Sequence, residues 1–339
     1  MKYTVDIDDV INELLEKHIG IYPALAERIN DYHYLKCNCD GEHGYCVLDA
    51  SELIHPVSIL YQRYLRNTNS QMAETSVVRR LLNDPYLFQS PLFHLLFKSF
   101  VAAEGKFIMN YIPQNSNEER LTGHLVSELE NELFILSNYF KDLSNELYGH
   151  PIPLNFYYAD LSSNKQEKIT GADLGIILYV KMPDQIKPHI RVASIQAKKM
   201  NNKYAQIDVE QLERLRNKYG ENAYYMYYDM SGQHFSPLIQ RAKHISIIRT
   251  ENKKKSYQRD IIEDNSIPLS LFLIFDMFNS NNTHNSDFRN LWEAKRYLTN
   301  IDNYEDSPSN FMIMAIGSID NEDIHGLNDL FLQDFPKYE

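Results

Sequence analysis

Thr170-Gly171-Ala172-Asp173-Leu174-Gly175-Ile176-Ile177-Leu178, followed after Pro183 and Pro188 by Arg191-Val192-Ala193-Ser194-Ile195-Gln196-Ala197-Lys198-Lys199, is the stretch of this chain that decides its fold. The run 174–180 is continuously apolar, as in a strand buried on both faces. An Asp where that run begins is either held by a partner or holds a cation, because burying a bare carboxylate is costly. In the second run side chains alternate, which puts Ser194, Gln196 and Lys198 on one face and Ala193, Ile195 and Ala197 on the other. With 181–189 as the turn, the two strands form a hairpin that brings a carboxylate, a carboxamide oxygen and an ammonium to one patch. Oxygen donors of this kind suit Mg²⁺ or Mn²⁺.

Moving outward, the polar stretch 113–117 opens a long helix over 118–147, in which Leu121, Leu125, Leu129, Leu133, Leu136 and Phe140 mark one face. A strand at 152–158 and a loop at 162–168 lead into the hairpin. A helix over 207–219, with Val209, Leu212 and Leu215 at helical spacing, then leads into the aromatic strand Ala223-Tyr224-Tyr225-Met226-Tyr227-Tyr228. This alternation predicts an α/β or α+β layer with a mixed central sheet flanked by helices. Upstream, 6–17, 21–29, 51–65, 72–82 and 91–103 read as helices. Downstream, 245–248 reads as a strand, 253–255 as a solvated lysine loop, 269–277 and 287–298 as helices, 311–316 as a strand and 327–332 as a last helix. The expected organisation is a mainly helical N-terminal region with a Cys/His loop (1–112), an α/β core (113–249) and a C-terminal α/β extension (250–339).

With 339 residues, 43% hydrophobic and 24% charged, the chain has the composition of a globular protein able to bury a sizeable core. It has no apolar run near 18 residues and no signal-peptide pattern at its start, so the expectation is a cytoplasmic protein without a membrane partner. A net charge of −12 argues against a simple nucleic-acid binder, since phosphate contacts come from Lys and Arg. It does not exclude an enzyme with local basic groups, and Lys198, Lys199, Lys203, Arg214, Arg216 and Lys218 do gather around the hairpin. For Arg214, Arg216 and Lys218 a solvated helix face is the competing reading. All three cysteines fall in Cys37-Asn38-Cys39-Asp40-Gly41-Glu42-His43-Gly44-Tyr45-Cys46. Cys37, Cys39, His43 and Cys46 make a four-ligand set for tetrahedral zinc. The spacing is tighter than in common zinc modules, which favours a hairpin carrying free thiols.

A helix with an acid, a strand with Gly171-Ala172-Asp173, a strand with Gln196-Ala197-Lys198, a helix with Gln211 and a further strand, in that order, resemble the PD-(D/E)XK nuclease superfamily. Gln196 stands where the motif's last acid is usual, similar to the Gln-x-Lys variants of Mrr-like restriction endonucleases. The resemblance covers 115–229, about a third of the chain. It implies a restriction-endonuclease-like core, with Asp173 as metal ligand, Gln196 as ligand or water-positioning group, and Lys198 orienting the attacking water and stabilising phosphorane charge. The bland alternatives are an Asx-turn residue for Asp173 and an edge-strand lysine for Lys198.

The family also expects an acid on the preceding helix. At about 100° per residue, Glu118 falls on the stripe of Leu121 and Leu136, while Glu119 lies about a quarter turn away. Ser116-Asn117-Glu118-Glu119 fits a capping box, which gives Glu119 a local structural task. Glu118 is therefore the first choice for a catalytic acid and metal ligand, Glu119 the alternative and Glu128 the third. Gln211 and Lys199 are candidates for substrate binding. Tyr224, Tyr225, Tyr227 and Tyr228 either stack bases or fill the core.

Two functions follow. One is a Mg²⁺- or Mn²⁺-dependent endonuclease acting on nucleic acid, DNA ahead of RNA, as effector of a bacterial restriction or anti-phage system, with a protein partner subunit or a homodimer as its assembly. The other is a non-catalytic nuclease-fold interaction protein with a zinc-dependent binding loop. No Gly-x-Gly-x-x-Gly, Walker A or Gly-x-Ser-x-Gly sequence occurs to support a nucleotide fold or a serine hydrolase.

Overall fold

The computed structural model describes residues 5–6, 47–48, 78, 81–82, 91–160, 171–181, 187–231, 236–245, 254–278, 288–299 and 308–319. Strands β1 (Val5–Asp6) and β2 (Val47–Leu48) pair antiparallel as a small sheet of their own. Asp6, expected to start a helix, is therefore in a strand. Helices α1 (Pro91–Tyr111) and α2 (Glu118–Tyr148) are joined by a 3₁₀ turn at Ile112–Gln114 and a left-handed Asn115. They are followed by β3 (Leu154–Asp160), β4 (Leu174–Val180), β5 (His189–Met200), β6 (Tyr204–Asp208), α3 (Val209–Tyr219), β7 (Ala223–Asp229) and β8 (Leu238–Arg241). The described chain continues with β9 (Lys254–Gln258), α4 (Arg259–Asn265), β10 (Ile267–Pro268), α5 (Leu269–Leu271, running on as a π-helix over Phe272–Met277), α6 (Leu291–Leu298) and β11 (Asn310–Ile316).

Nine of the described strands form one mixed sheet in the order β10-β8-β7-β5-β4-β11-β3, while β6 pairs with the end of β5 and with β9. The expected hairpin is present: β4 and β5 are antiparallel, with Leu174 opposite Ile195 and Val180 opposite His189. β7 runs parallel to β5, and β11 runs parallel to β4 and antiparallel to β3. Segment 250–339 thus supplies an interior strand of the sheet, between β4 and the edge strand β3. Lys254 and Lys255, expected in a solvated loop, lie in β9 opposite Asp208 and Ile207. The β6–β9 ladder recruits them, a pairing between distant segments that local lysine content cannot reveal.

The period-2 rule sorts the central strands between two cores. Leu174, Ile176 and Leu178 of β4, Ala193, Ile195 and Ala197 of β5, and Tyr224, Met226 and Tyr228 of β7 face α1, α2 and α5. Ile177 and Tyr179 of β4, Val192 of β5, Tyr225 and Tyr227 of β7, and Phe311, Ile313 and Ala315 of β11 face α3 and α6. The fold is therefore a mixed α/β sandwich of helix, sheet and helix.

Two features fix the ends of strands. After β11 the chain turns at Gly317 with φ +94°, and a Cβ there would lie 2.0 Å from Lys181 O. At the far end of β7, Asp229 receives both terminal nitrogens of Arg259, at 2.9 and 3.0 Å, together with Ser231 N at 3.0 Å. Burial by itself would raise the Asp229 pKa, but these donors overcome it and hold the carboxyl below its ordinary value.

Gly317→Ala is expected to destabilise the fold by about 3 kcal/mol or more, from strained backbone plus overlap, measured by urea unfolding. Because the folded pKa of Asp229 is depressed, its stabilisation is present above its ordinary value of 3.8 and is lost as pH falls through the lower, folded value. Asp229→Asn should therefore cost about 3 kcal/mol at pH 7, and its gap from wild type should close below pH ~4. A gap independent of pH would contradict this assignment.

Candidate functional site

β5 is longer than β4. Its register with β4 ends at Ile195, so the N–H groups of Ala197 and Lys199 point toward a side where no strand continues among the described residues. Two carboxylates take them. Asp173 Oδ2 accepts from Ala197 N at 2.7 Å, and Glu118 Oε1 accepts from Lys199 N at 2.8 Å. A backbone donor with no acceptor is destabilising where water is excluded, and a bond to a charged acceptor contributes about 1.5–3 kcal/mol.

Asp173 is itself held from both sides and is 3% exposed. Its N–H donates to Ile195 O at 2.9 Å, and its carbonyl accepts Asn310 N at 2.9 Å and Asn310 Nδ2 at 3.0 Å. The turn into it passes through Gly171, at φ +69°, where a Cβ would lie 2.9 Å from Gln211 O. Only glycine allows the first turn of α3 to approach so closely. Gln211 thus belongs to the wall beside Asp173, and its N–H is capped by Asp208 Oδ1 at 3.1 Å.

Glu118 reaches the strand from the start of α2. Asn117 is the N-cap, its side chain accepting from Arg120 N at 3.0 Å, which makes Glu118 and Glu119 the first two residues of the helix. The expected Ser116 capping box therefore does not form: Asn117 takes the N-cap, which puts Arg120 rather than Glu119 at the third helical position. Glu119 is exposed. Glu128 lies further along α2, where Tyr111 donates to it at 3.1 Å, so it takes no part here.

Gln196 is fully buried, and its Nε2 donates to Asp173 Oδ2 and, at 3.2 Å, to Ala197 O. Lys198 Nζ lies 3.6 Å from Glu118 Oε2. Lys199 turns to the other face, where its Nζ donates to Asn115 Oδ1 at 2.9 Å. Glu118, Asp173, Gln196 and Lys198 therefore meet at the overhang of β5, with Lys199 and Gln211 at its margins. The basic cluster is otherwise dispersed. Arg216, for which a solvated face was the competing reading, donates instead to Ala242 O at 2.8 and 2.6 Å, joining the Ile245 N–H on that carbonyl.

The aromatic strand is core and no stacking platform: Tyr224, Tyr225, Tyr227 and Tyr228 are each 1% exposed or less. Tyr224 packs on Phe272 with ring centroids 4.8 Å apart, and the Tyr228 hydroxyl shares a 2.9 Å bond with Thr122 of α2. Burial first, then the negative fields of Asp173, Asp208 and Glu118, push the Tyr225 pKa well above that of a free phenol, and Tyr228 is likewise raised by burial and by the fields of Asp173 and Glu118. That places Asp208 and Tyr225 beside the site; Asp208 did not stand out in the sequence, and Tyr225 did so only as one of four tyrosines that either stack bases or fill the core. The signal for Asp208 was its position as N-cap of α3, and for Tyr225 its alternation with Tyr224.

The carboxylates of Asp173 and Glu118 are hard-oxygen donors of the type that suits Mg²⁺, whereas Gln196 presents its Nε2 and not its oxygen to Asp173. The bonded oxygens of Asp173 and Glu118 sit at strand positions two residues apart, roughly 7 Å, and Mg²⁺ commonly keeps several waters that can span such a gap. Among the described residues no three His, Cys, Asp or Glu side chains converge for a metal. The Cys37, Cys39, His43 and Cys46 loop lies outside the described residues. No described helix is long and apolar enough to cross a membrane. Comparison with known protein families, curated proteins and solved structures finds no match.

Removing the Glu118 acceptor should destabilise the fold: Glu118→Ala by about 1–2 kcal/mol, and Glu118→Gln, which keeps a carbonyl oxygen for Lys199 N, by less than half as much. Urea unfolding of the two variants measures this, and equal losses would show that the Lys199 bond contributes nothing.

Proposed function

We propose that this chain is a metal-dependent nuclease with a restriction-endonuclease-like core, hydrolysing phosphodiester bonds in DNA ahead of RNA and serving a restriction or anti-phage system. The observation that carries this reading is the meeting of Asp173, Gln196, Lys198 and Glu118 where β5 outruns β4. It is supported by element order: α2 with its acid, β4, β5, α3 and parallel β7 come in the order of the family the sequence resembles, with β3 between α2 and β4 and the short β6 between β5 and α3.

In this reading Asp173 and Glu118 hold Mg²⁺ or Mn²⁺, with Gln196 as a ligand or water-positioning group. The ion, when bound, lowers the pKa of water and polarises a phosphoryl oxygen. The chain's own groups do the rest. Gln196 Nε2 and Ala197 N orient the Asp173 carboxylate. Lys198, restrained beside Glu118, supplies positive charge where negative charge grows on the phosphoryl oxygens, an effect of about 3 kcal/mol for one well-placed donor. The acidic net charge suits an enzyme brought to its substrate by a partner subunit.

One observation favours a non-catalytic nuclease fold instead: Asp173 Oδ2 and Glu118 Oε1 already serve the backbone of β5. Plasmid cleavage with Mg²⁺ separates the two. Asp173→Ala and Lys198→Ala should each lower cleavage by roughly 100-fold or more, and chelation with EDTA should abolish it. Cleavage at the wild-type rate by folded variants would exclude this site. Absence of cleavage of any DNA or RNA by the wild type would favour the interaction protein.

A further inference from the structure

Among the described residues, two buried polar atoms beside Asp173 have no hydrogen-bond partner: Gln196 Oε1 and the Tyr225 hydroxyl. Both residues are 0% exposed. They are opposite each other in the parallel β5–β7 register and project to the same side of the sheet, toward α3. An unmet polar group in such a place is uncommon and calls for an occupant.

The needs of the two atoms are complementary. A carboxamide oxygen accepts and never donates, whereas a neutral phenol has a proton to give. A cation between them would serve the oxygen and oppose the phenolic proton. A phosphate oxygen would serve the phenol and repel the carbonyl. A water molecule serves both, accepting from Tyr225 and donating to Gln196, and buried waters characteristically bridge polar groups left unmet by the protein. The amide orientation agrees with this: turned by 180°, Gln196 would set its oxygen against Asp173 Oδ2, where its Nε2 now donates.

Resting on the reading of Asp173 as a cation-binding carboxylate, we infer that Tyr225 is a positioning residue: through one shared buried water it locks the Gln196 amide, which in turn aims the Asp173 carboxylate. Gln196 thereby acts as a water-holding group that orients the acid. Tyr225 touches neither cation nor substrate. Tyr224, one residue away, faces the opposite core against Phe272 and serves as the internal control.

The test uses the full chain labelled with ¹⁵N-glutamine, as wild type, Tyr225→Phe and Tyr224→Phe. The Gln196 side-chain amide is assigned by its loss in Gln196→Ala. The wild type should show one slowly exchanging Gln196 amide pair with a cross-peak to a long-lived water. Tyr225→Phe should lose the water cross-peak and shift the pair, and Tyr224→Phe should keep both. In parallel, Mn²⁺ titration should show affinity lowered by about 10–100-fold in Tyr225→Phe, the usual effect of losing a group that orients a ligand, and unchanged in Tyr224→Phe. An unaltered Gln196 amide in folded Tyr225→Phe, or no bound water in the wild type, overturns the role of Tyr225 while wild-type cleavage still supports the nuclease. A wild type that neither binds Mn²⁺ nor cleaves overturns the nuclease reading and the positioning role together, even where the water is seen.

Discussion

The constraint on which this architecture depends is the overhang of β5. That strand has 12 residues and its antiparallel neighbour β4 has 7, so its last backbone donors on that side need acceptors from elsewhere. They find them in two carboxylates from separate parts of the chain, one at the turn before β4 and one at the start of α2. Each bond does two things at once. It ends the ladder without a buried orphan, and it carries an acid to the strand that bears Gln196 and Lys198. Position and stability of the site are therefore one problem, and the helix that begins at Glu118 is tied to the sheet by the same contact that supplies its acid.

The rest of the neighbourhood reinforces this geometry. Gly171 lets α3 press against the turn, Asp208 caps that helix, and Asn310 of β11 grips the Asp173 backbone from the side away from β5. Acidic groups are thus concentrated where the fold provides N–H donors, which offsets their mutual repulsion. The polar cluster is anchored by backbone and by buried side chains, with Lys198 its main cationic member. Such anchoring costs a carboxylate little freedom to lose when a ligand arrives, which is what a site that must hold a fixed geometry requires.

Much of this was legible in the residues. The apolar run 174–180 and the alternation through 191–199 define the hairpin and the face shared by Gln196 and Lys198. Helical phase singles out Glu118 over Glu119, and the contact to Lys199 N follows from that choice. Boundaries set by side-chain competition were less legible: Asn117 and Ser116 are both good caps, and neighbouring geometry chose Asn117. The lysines of β9 and the insertion of β11 between β3 and β4 could not be read locally, because pairing between strands separated by dozens of residues depends on the sheet they join.

By itself the sequence determined the local periods, the turn glycines and the residue types that meet at the end of β5, since these follow from side-chain alternation and backbone sterics within a few residues. Only the tertiary structure decided which donors are left over, and hence which carboxylates bond to backbone. It also decided that the tyrosine strand lies wholly inside, so that Tyr225 faces Gln196 in the core. The reason is physical: periodicity is a short-range property of the chain, whereas hydrogen-bond completion and burial are settled only when every strand has found its neighbours.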